Sequence, residues 1–172
     1  MSFIEGLKNI GVDTNPDYMG VWPHKIGSFV LNFANLELIT YQYLNSLEAT
    51  EENFNKNIDK FLNYRIDRVL NLIQESTNLD VDVKEEMITH WKRVKDLSKW
   101  RNRIAHNPVL PTWKPGSDSE NSPPDVLGIP DMKQIKINRI SDSISLEAMD
   151  ALINDTFGLA NRLLNLMKNE KK

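Results

Sequence analysis

Asp82–Pro108, DVKEEMITHWKRVKDLSKWRNRIAHNP, is the stretch whose reading decides the fold. Met87, His90, Trp91, Val94, Leu97, Ser98, Arg101, Ile104 and Ala105 recur at three- and four-residue steps, so they lie along one side of an α-helix. Most of that stripe is apolar. Arg101 is not, yet it falls one heptad after Val94, where a core residue is due. A guanidinium on a buried face needs a partner, because an unpaired buried charge is costly. Pro108 disfavours the helical conformation at Asn107, and Asn tolerates a left-handed cap. The helix therefore ends with His106 in or just past its last turn.

Free carbonyls and the negative end of the helix dipole gather at that terminus, and both favour an imidazolium. A histidine that holds and releases a proton near neutral pH is an acid–base candidate. Asn102 and His106 are four apart and neighbour each other on a helix surface. Arg101 is about 140° from His106 around an ideal helix; a long Arg could close that gap only in part, and a symmetric partner chain could supply the other half of a site.

Outward from this helix, residues 25–47 read as a first long helix. Phe29, Val30, Phe33, Leu36, Thr40, Tyr41, Tyr43, Leu44 and Leu47 give it a wide apolar surface, and Leu31, Leu38 and Ile39 add a second face. A helix apolar on nearly all sides is buried on nearly all sides, either centrally or against a second copy of the chain. Glu37 lies on the stripe of Val30, Phe33 and Leu44 and is the second misplaced charge, acidic where Arg101 is basic. It pairs with Arg101 directly or across a dimer, or orients His106, or reaches water at the rim of the stripe.

Thr50 followed by Glu51 and Glu52 is a helix start. A second helix is expected from there to about Glu75, with Phe54, Ile58, Phe61, Leu62, Arg65, Val69, Leu72 and Ile73 inward. Asp82 with Glu85 suggests a capping box for the third helix, antiparallel to the second. Pro108–Pro130 holds six prolines, two glycines and the run Gly-Ser-Asp-Ser-Glu-Asn-Ser, a long connection that is either a flap over the motif or an insertion. Trp113 and Lys114 within it have the chemistry to stack on a base and touch a phosphate. Lys133–Ile140 alternates weakly and would make a short strand, paired with Val109-Leu110. Ser143 or Ser145 then caps a last helix to about Lys168, with Leu146, Met149, Leu152, Ile153, Phe157, Ala160, Leu163, Leu164 and Met167 inward. The expected fold is all-α: a four-to-five-helix up-and-down bundle with a long Pro-rich loop over 107–132 and room for a short β-hairpin before the last helix. Residues 1–24 form an N-terminal arm and 25–172 a single helical domain.

Composition narrows the function classes. The 172 residues carry a net charge of -3, with 40% hydrophobic and 26% charged residues, as expected of a globular domain. With no cysteine, neither a disulfide framework nor a thiolate site is available. The start, Met-Ser-Phe-Ile-Glu-Gly-Leu-Lys, lacks the basic and apolar regions of a signal peptide, and no apolar run is long enough for a membrane span; the expectation is a cytoplasmic protein with no membrane partner. The three histidines (24, 90, 106) are scattered without metal-ligand spacing; neither metal nor cofactor is expected. His24 reads as a surface residue and His90 as a buried or interface one. Charge is uneven: between Lys84 and Lys114 eight basic residues face three acidic ones, an excess of five. Such a stripe is either a phosphate-contacting surface or a solvated helix face.

Arg101-Asn102, three further residues and His106 at a helix end resemble the Arg-polar-x(3)-His signature of the HEPN superfamily. The flanks, Trp-Arg-Asn-Arg-Ile-Ala-His-Asn-Pro, are similar to that family's usual Leu-x-x-x-Arg-Asn-x-x-Ala-His followed by Gly or Asn. The resemblance covers roughly residues 25–168 in architecture and is specific only across residues 97–108. It implies a helical bundle that dimerises with two motifs facing each other, and a metal-independent endoribonuclease of toxin or phage-defence type. In that mechanism His106 handles the proton or contacts ribose and phosphate, Arg101 stabilises the phosphorane, and Asn102 fixes the imidazole or binds a phosphate oxygen. Lys95, Lys99, Arg103 and Lys114 would bind the RNA substrate, with Glu37 in support, and an antitoxin would be a natural partner. Two rivals stand beside it: a non-catalytic HEPN-fold dimeric scaffold or partner of a nucleotidyltransferase, and a plain helical adaptor with a chance motif.

Overall fold

The computed structural model describes residues 21–106, 110–112, 126–130 and 140–169. Among these, five helices carry the chain: α1 (Trp22–Leu47), α2 (Glu51–Ile58), α3 (Leu62–Glu75), α4 (Val81–His106) and α5 (Leu146–Asn169), with strands β1 (Leu110–Thr112), β2 (Val126–Pro130) and β3 (Ile140–Ser145) between α4 and α5. The class is the expected all-α bundle with a small sheet before the last helix. No described helix is long and apolar enough to cross a membrane.

The chain divides into two compact units. The larger comprises residues 29–101 and 152–172, the smaller residues 1–28 and 102–151. In the larger, Phe29, Phe33, Leu36, Tyr43 and Leu44 of α1, Ile66, Val69 and Ile73 of α3, Met87, Trp91, Val94 and Leu97 of α4, and Leu163 of α5 are all fully buried. Polar contacts fix the helix directions. Asn32 and Tyr43 donate to the carbonyls of Ile153 and Leu163, so α1 and α5 run parallel. Glu37 meets Arg101 while the Tyr43 ring meets Trp91 edge-on, 5.1 Å between centroids, so α4 runs against α1. Lys95 to Asp67 and Ser98 to Asn63 set α3 against α4.

Three helix boundaries correct the expectation. The first helix begins at Trp22, three residues before position 25. The helix expected from Thr50 to Glu75 is two helices. Thr50 caps α2 as expected, its hydroxyl accepting from Asn53 N–H at 3.2 Å, but α2 stops at Ile58. Asn53, Asn55, Asn57 and Asp59 are weak helix formers whose side chains compete for the backbone. Tertiary hydrogen bonds then hold the break: the Asn57 amide donates to Glu48 and to the Asn53 carbonyl, both at 2.8 Å, and Arg65 donates to the Ile58 carbonyl at 3.1 Å. Phe61 sits in the break with extended backbone and is 92% exposed, not inward. For α4 the capping residue is Asp80 rather than Asp82: its carboxylate accepts from Asp82 N–H at 2.9 Å.

Arg65 is buried as the stripe requires, with its guanidinium 4.2 Å from the centre of the Tyr41 ring and a hydrogen bond to the Tyr41 hydroxyl. Of the second face of α1, Leu31 and Leu38 are exposed in the single chain, whereas Ile39 is buried. Phe157 of α5 is 60% exposed; Thr156 and Leu159 face inward instead. Ala105 is exposed too, so the inward stripe of α4 closes at Ile104.

In the smaller unit the strands form an antiparallel sheet in the order β1-β2-β3. Leu110 pairs with Gly128, and Gly128 in turn with Ser143. A strand partner of Leu110 is thus Gly128 in 126–130, a segment expected in the loop. Proline cannot donate to a ladder, and the register shift at Ile129/Pro130 falls where β2 reaches one. Ser145 caps α5, accepting from Ala148 N–H at 3.2 Å. Trp22, Ile104 and Met149 are buried, and Lys25 pairs with Asp150. The expectations for residues 1–20, for Trp113 and Lys114 and for Lys133–Arg139 lie outside the described residues.

Candidate functional site

The stripe that puts Arg101 inward brings it to Glu37. Arg101 Nη2 lies 3.3 Å from Glu37 Oε1, within one protomer and within the larger unit. Glu37 follows the fully buried Leu36 and precedes the buried Ile39 and Thr40, so its carboxylate leaves the core at the rim of the stripe. The two side chains are 29% and 26% exposed, so each charge keeps part of its hydration while facing its opposite. Of the alternatives open to Glu37, the direct pairing is present in the structure, at the rim. The guanidinium is therefore held in place and still open to solvent.

Asn102 and Arg103 follow on α4 and are exposed, and His106 is its last residue. These three belong to the smaller unit. The expectations for the His106 side chain fall outside the described residues, as those for Lys114 do.

Three further cations of the basic stripe meet carboxylates. Arg93 meets Asp155 at 2.6 Å, Lys95 meets Asp67 at 2.5 Å and Lys99 meets Asp96 at 2.7 Å. The Lys99 ammonium, through its hydrogen bond first and its charge second, holds the Asp96 carboxyl below the usual range. Pairs this exposed contribute little to stability and are screened by salt. His90 is buried, with Nε2 3.3 Å from Glu86 Oε1, and His24 is exposed.

The polar cluster absent from the sequence reading is Glu48 with Arg68 and Asn57. Arg68 Nε and Nη2 donate to the two Glu48 oxygens at 2.7 and 2.9 Å. The Glu48 side chain is 1% exposed. The Arg68 hydrogen bond, opposed in part by burial, lowers the Glu48 carboxyl from its ordinary value of 4.5. The only signal in the sequence was a carboxylate two residues before a helix cap, which does not mark a buried site. Among the described residues no group of three or more His, Asp or Glu side chains is arranged to hold a metal ion.

No protein-family model, characterised protein or solved structure matches the chain.

Proposed function

We propose that the protein is a metal-independent endoribonuclease of HEPN type that acts as a homodimer in a toxin or phage-defence setting. The observation that carries the reading is Arg101: a cation on a core stripe, pinned by Glu37 yet 29% exposed, at the first position of an Arg-Asn-x(3)-His sequence that closes a helix. At the rim the guanidinium avoids the full desolvation cost of an ion in the core. One that receives a phosphate needs a fixed orientation and an open side.

In this mechanism the ribose 2′-oxygen attacks the adjacent phosphorus, and its proton passes to a base. The bond to the 5′-oxygen breaks, and that oxygen takes up a proton. The products are a 2′,3′-cyclic phosphate and a 5′-hydroxyl. His106 serves the proton transfers, Arg101 offsets the charge on the phosphorane, and Asn102 orients the imidazole or binds a phosphate oxygen. Arg103, Lys95, Lys99 and Lys114 steer the backbone, Lys95 and Lys99 by exchanging carboxylate partners for phosphate.

The ion pair also favours a second reading, a non-catalytic HEPN-fold scaffold or nucleotidyltransferase partner, in which Arg101–Glu37 serves packing alone. End-group chemistry separates the two. Incubation of an oligoribonucleotide with the protein and EDTA yields 2′,3′-cyclic phosphate ends under the ribonuclease reading, and a 2′-deoxy substitution at the cleaved position abolishes the cut. An intact oligoribonucleotide in the presence of a folded dimer favours the scaffold.

A further inference from the structure

A groove of about 530 Å³ opens between α4 and α5, within the larger unit. It is lined by Thr89, His90 and Arg93 from α4 and by Asn154, Asp155, Gly158, Leu159 and Arg162 from α5. Its size falls within the range of sites for small ligands. Its polar side chains are two guanidiniums, an imidazole, an amide and a hydroxyl, against one carboxylate.

Gly158 is the telling residue. It stands in the interior of α5, where glycine is destabilising by about 1 kcal/mol relative to alanine. Its backbone is helical, so no unusual conformation requires it. Close packing does not require it either, because a Cβ built there meets no atom within 4 Å. What the missing side chain leaves is space, and that space is the groove.

The charges suit an anion. Arg93 directs Nε and Nη2 to one oxygen of Asp155, at 2.7 and 2.6 Å. Its planar fork is thus occupied by a carboxylate that a phosphate can replace. Among the described residues Arg162 has no hydrogen-bond or ion-pair partner, although it lines the same groove. His90 is buried with Nε2 against Glu86, the acidic group facing it on its own helix.

We propose that this groove binds a phosphate monoester, with Arg93 and Arg162 gripping the phosphate, Thr89 and Asn154 completing its hydrogen bonds, and Asp155 acting as the stand-in anion that the ligand displaces. The site uses none of Arg101, Asn102 and His106, and it stands or falls independently of the ribonuclease reading.

The test is titration of the full chain with inorganic phosphate, 5′-AMP and adenosine, followed by calorimetry and by amide shifts in α4 and α5. Saturable binding of 5′-AMP, with or without inorganic phosphate, and none of adenosine is expected. Arg162→Gln weakens it by about tenfold, the loss of one charge-assisted pairing. Gly158→Met fills the groove and abolishes binding, whereas Asp155→Asn tightens it by removing the competing carboxylate. Gly158→Ala, a better helix former, reports that α5 remains intact. The proposal is overturned if neither phosphate compound binds, if adenosine binds as well as 5′-AMP, or if the Arg162 and Gly158→Met variants bind as the wild type does.

Discussion

Arg101 of α4 and Glu37 of α1 face each other at 3.3 Å, each between a quarter and a third exposed. Each occupies a heptad position whose neighbours, Val94 in one helix and Phe33 and Leu44 in the other, are fully buried. Two charges on otherwise apolar stripes thus meet at the edge of the core. In that position neither suffers the full desolvation of a buried ion, and neither moves as freely as a surface side chain.

The partial exposure limits what the pair contributes to stability. A double-mutant cycle over Arg101→Ala and Glu37→Gln, read by urea denaturation, is expected to give a coupling of about 0.2–1 kcal/mol. RNA cleavage is expected to fall at least about a hundredfold in Arg101→Ala, the usual loss when one donor to a developing oxyanion is removed. A coupling of several kcal/mol with no change in function would instead make the pair a purely structural element.

Glu48 provides the pH dependence. Its folded-state carboxyl lies below the ordinary 4.5, chiefly through the Arg68 hydrogen bond. A depressed carboxylate contributes stability that is present above its unfolded value and lost as pH falls through its folded value. Urea midpoints of the wild type are therefore expected to drop on acidification below pH 4.5. Glu48→Gln is expected to be less stable at neutral pH by about 2 kcal/mol, and the gap is expected to narrow in acid. A gap independent of pH would contradict the assignment.

The break between α2 and α3 separates residues that the helical stripe treats alike. Thr50→Ala is expected to cost about 1 kcal/mol by removing the cap. Phe61→Ser is expected to change stability by less than about 0.5 kcal/mol, because the ring is 92% exposed. Thermal denaturation of the two variants measures the contrast. A large loss at Phe61 would mean that the ring is covered in solution.

Much of the bundle was legible because α4 and the inner face of α1 are long and strongly periodic. Phe29, Phe33, Leu36, Trp91, Val94 and Leu97 are inward as their spacing requires. Glu37 and Arg101 were legible as anomalies within that pattern, and they meet. The break at 59–61 was not legible from the apolar stripe, since it depends on Asn57 and Arg65 reaching other parts of the chain. The low helix propensity of the asparagine-rich stretch before it was the available sign. Phe157 was misplaced because one aromatic on a broad stripe does not reveal which edge is covered, and Thr156, a polar residue, takes the inward position by donating to the Leu152 and Ile153 carbonyls. Strand β2 was missed because Val126–Pro130 contains Gly128 and ends in proline, and its pairing rests on register with Leu110 and Ser143 rather than on alternation within the segment.

The most direct measurement is digestion of a mixed RNA pool in the presence of EDTA by the wild type and by His106→Ala. The proposed mechanism gives cleavage by the wild type that disappears in the mutant, with both proteins equally folded and dimeric. Equal cleavage by both, or none by a folded wild-type dimer, would contradict the assignment of the chemistry to the Arg-Asn-x(3)-His motif.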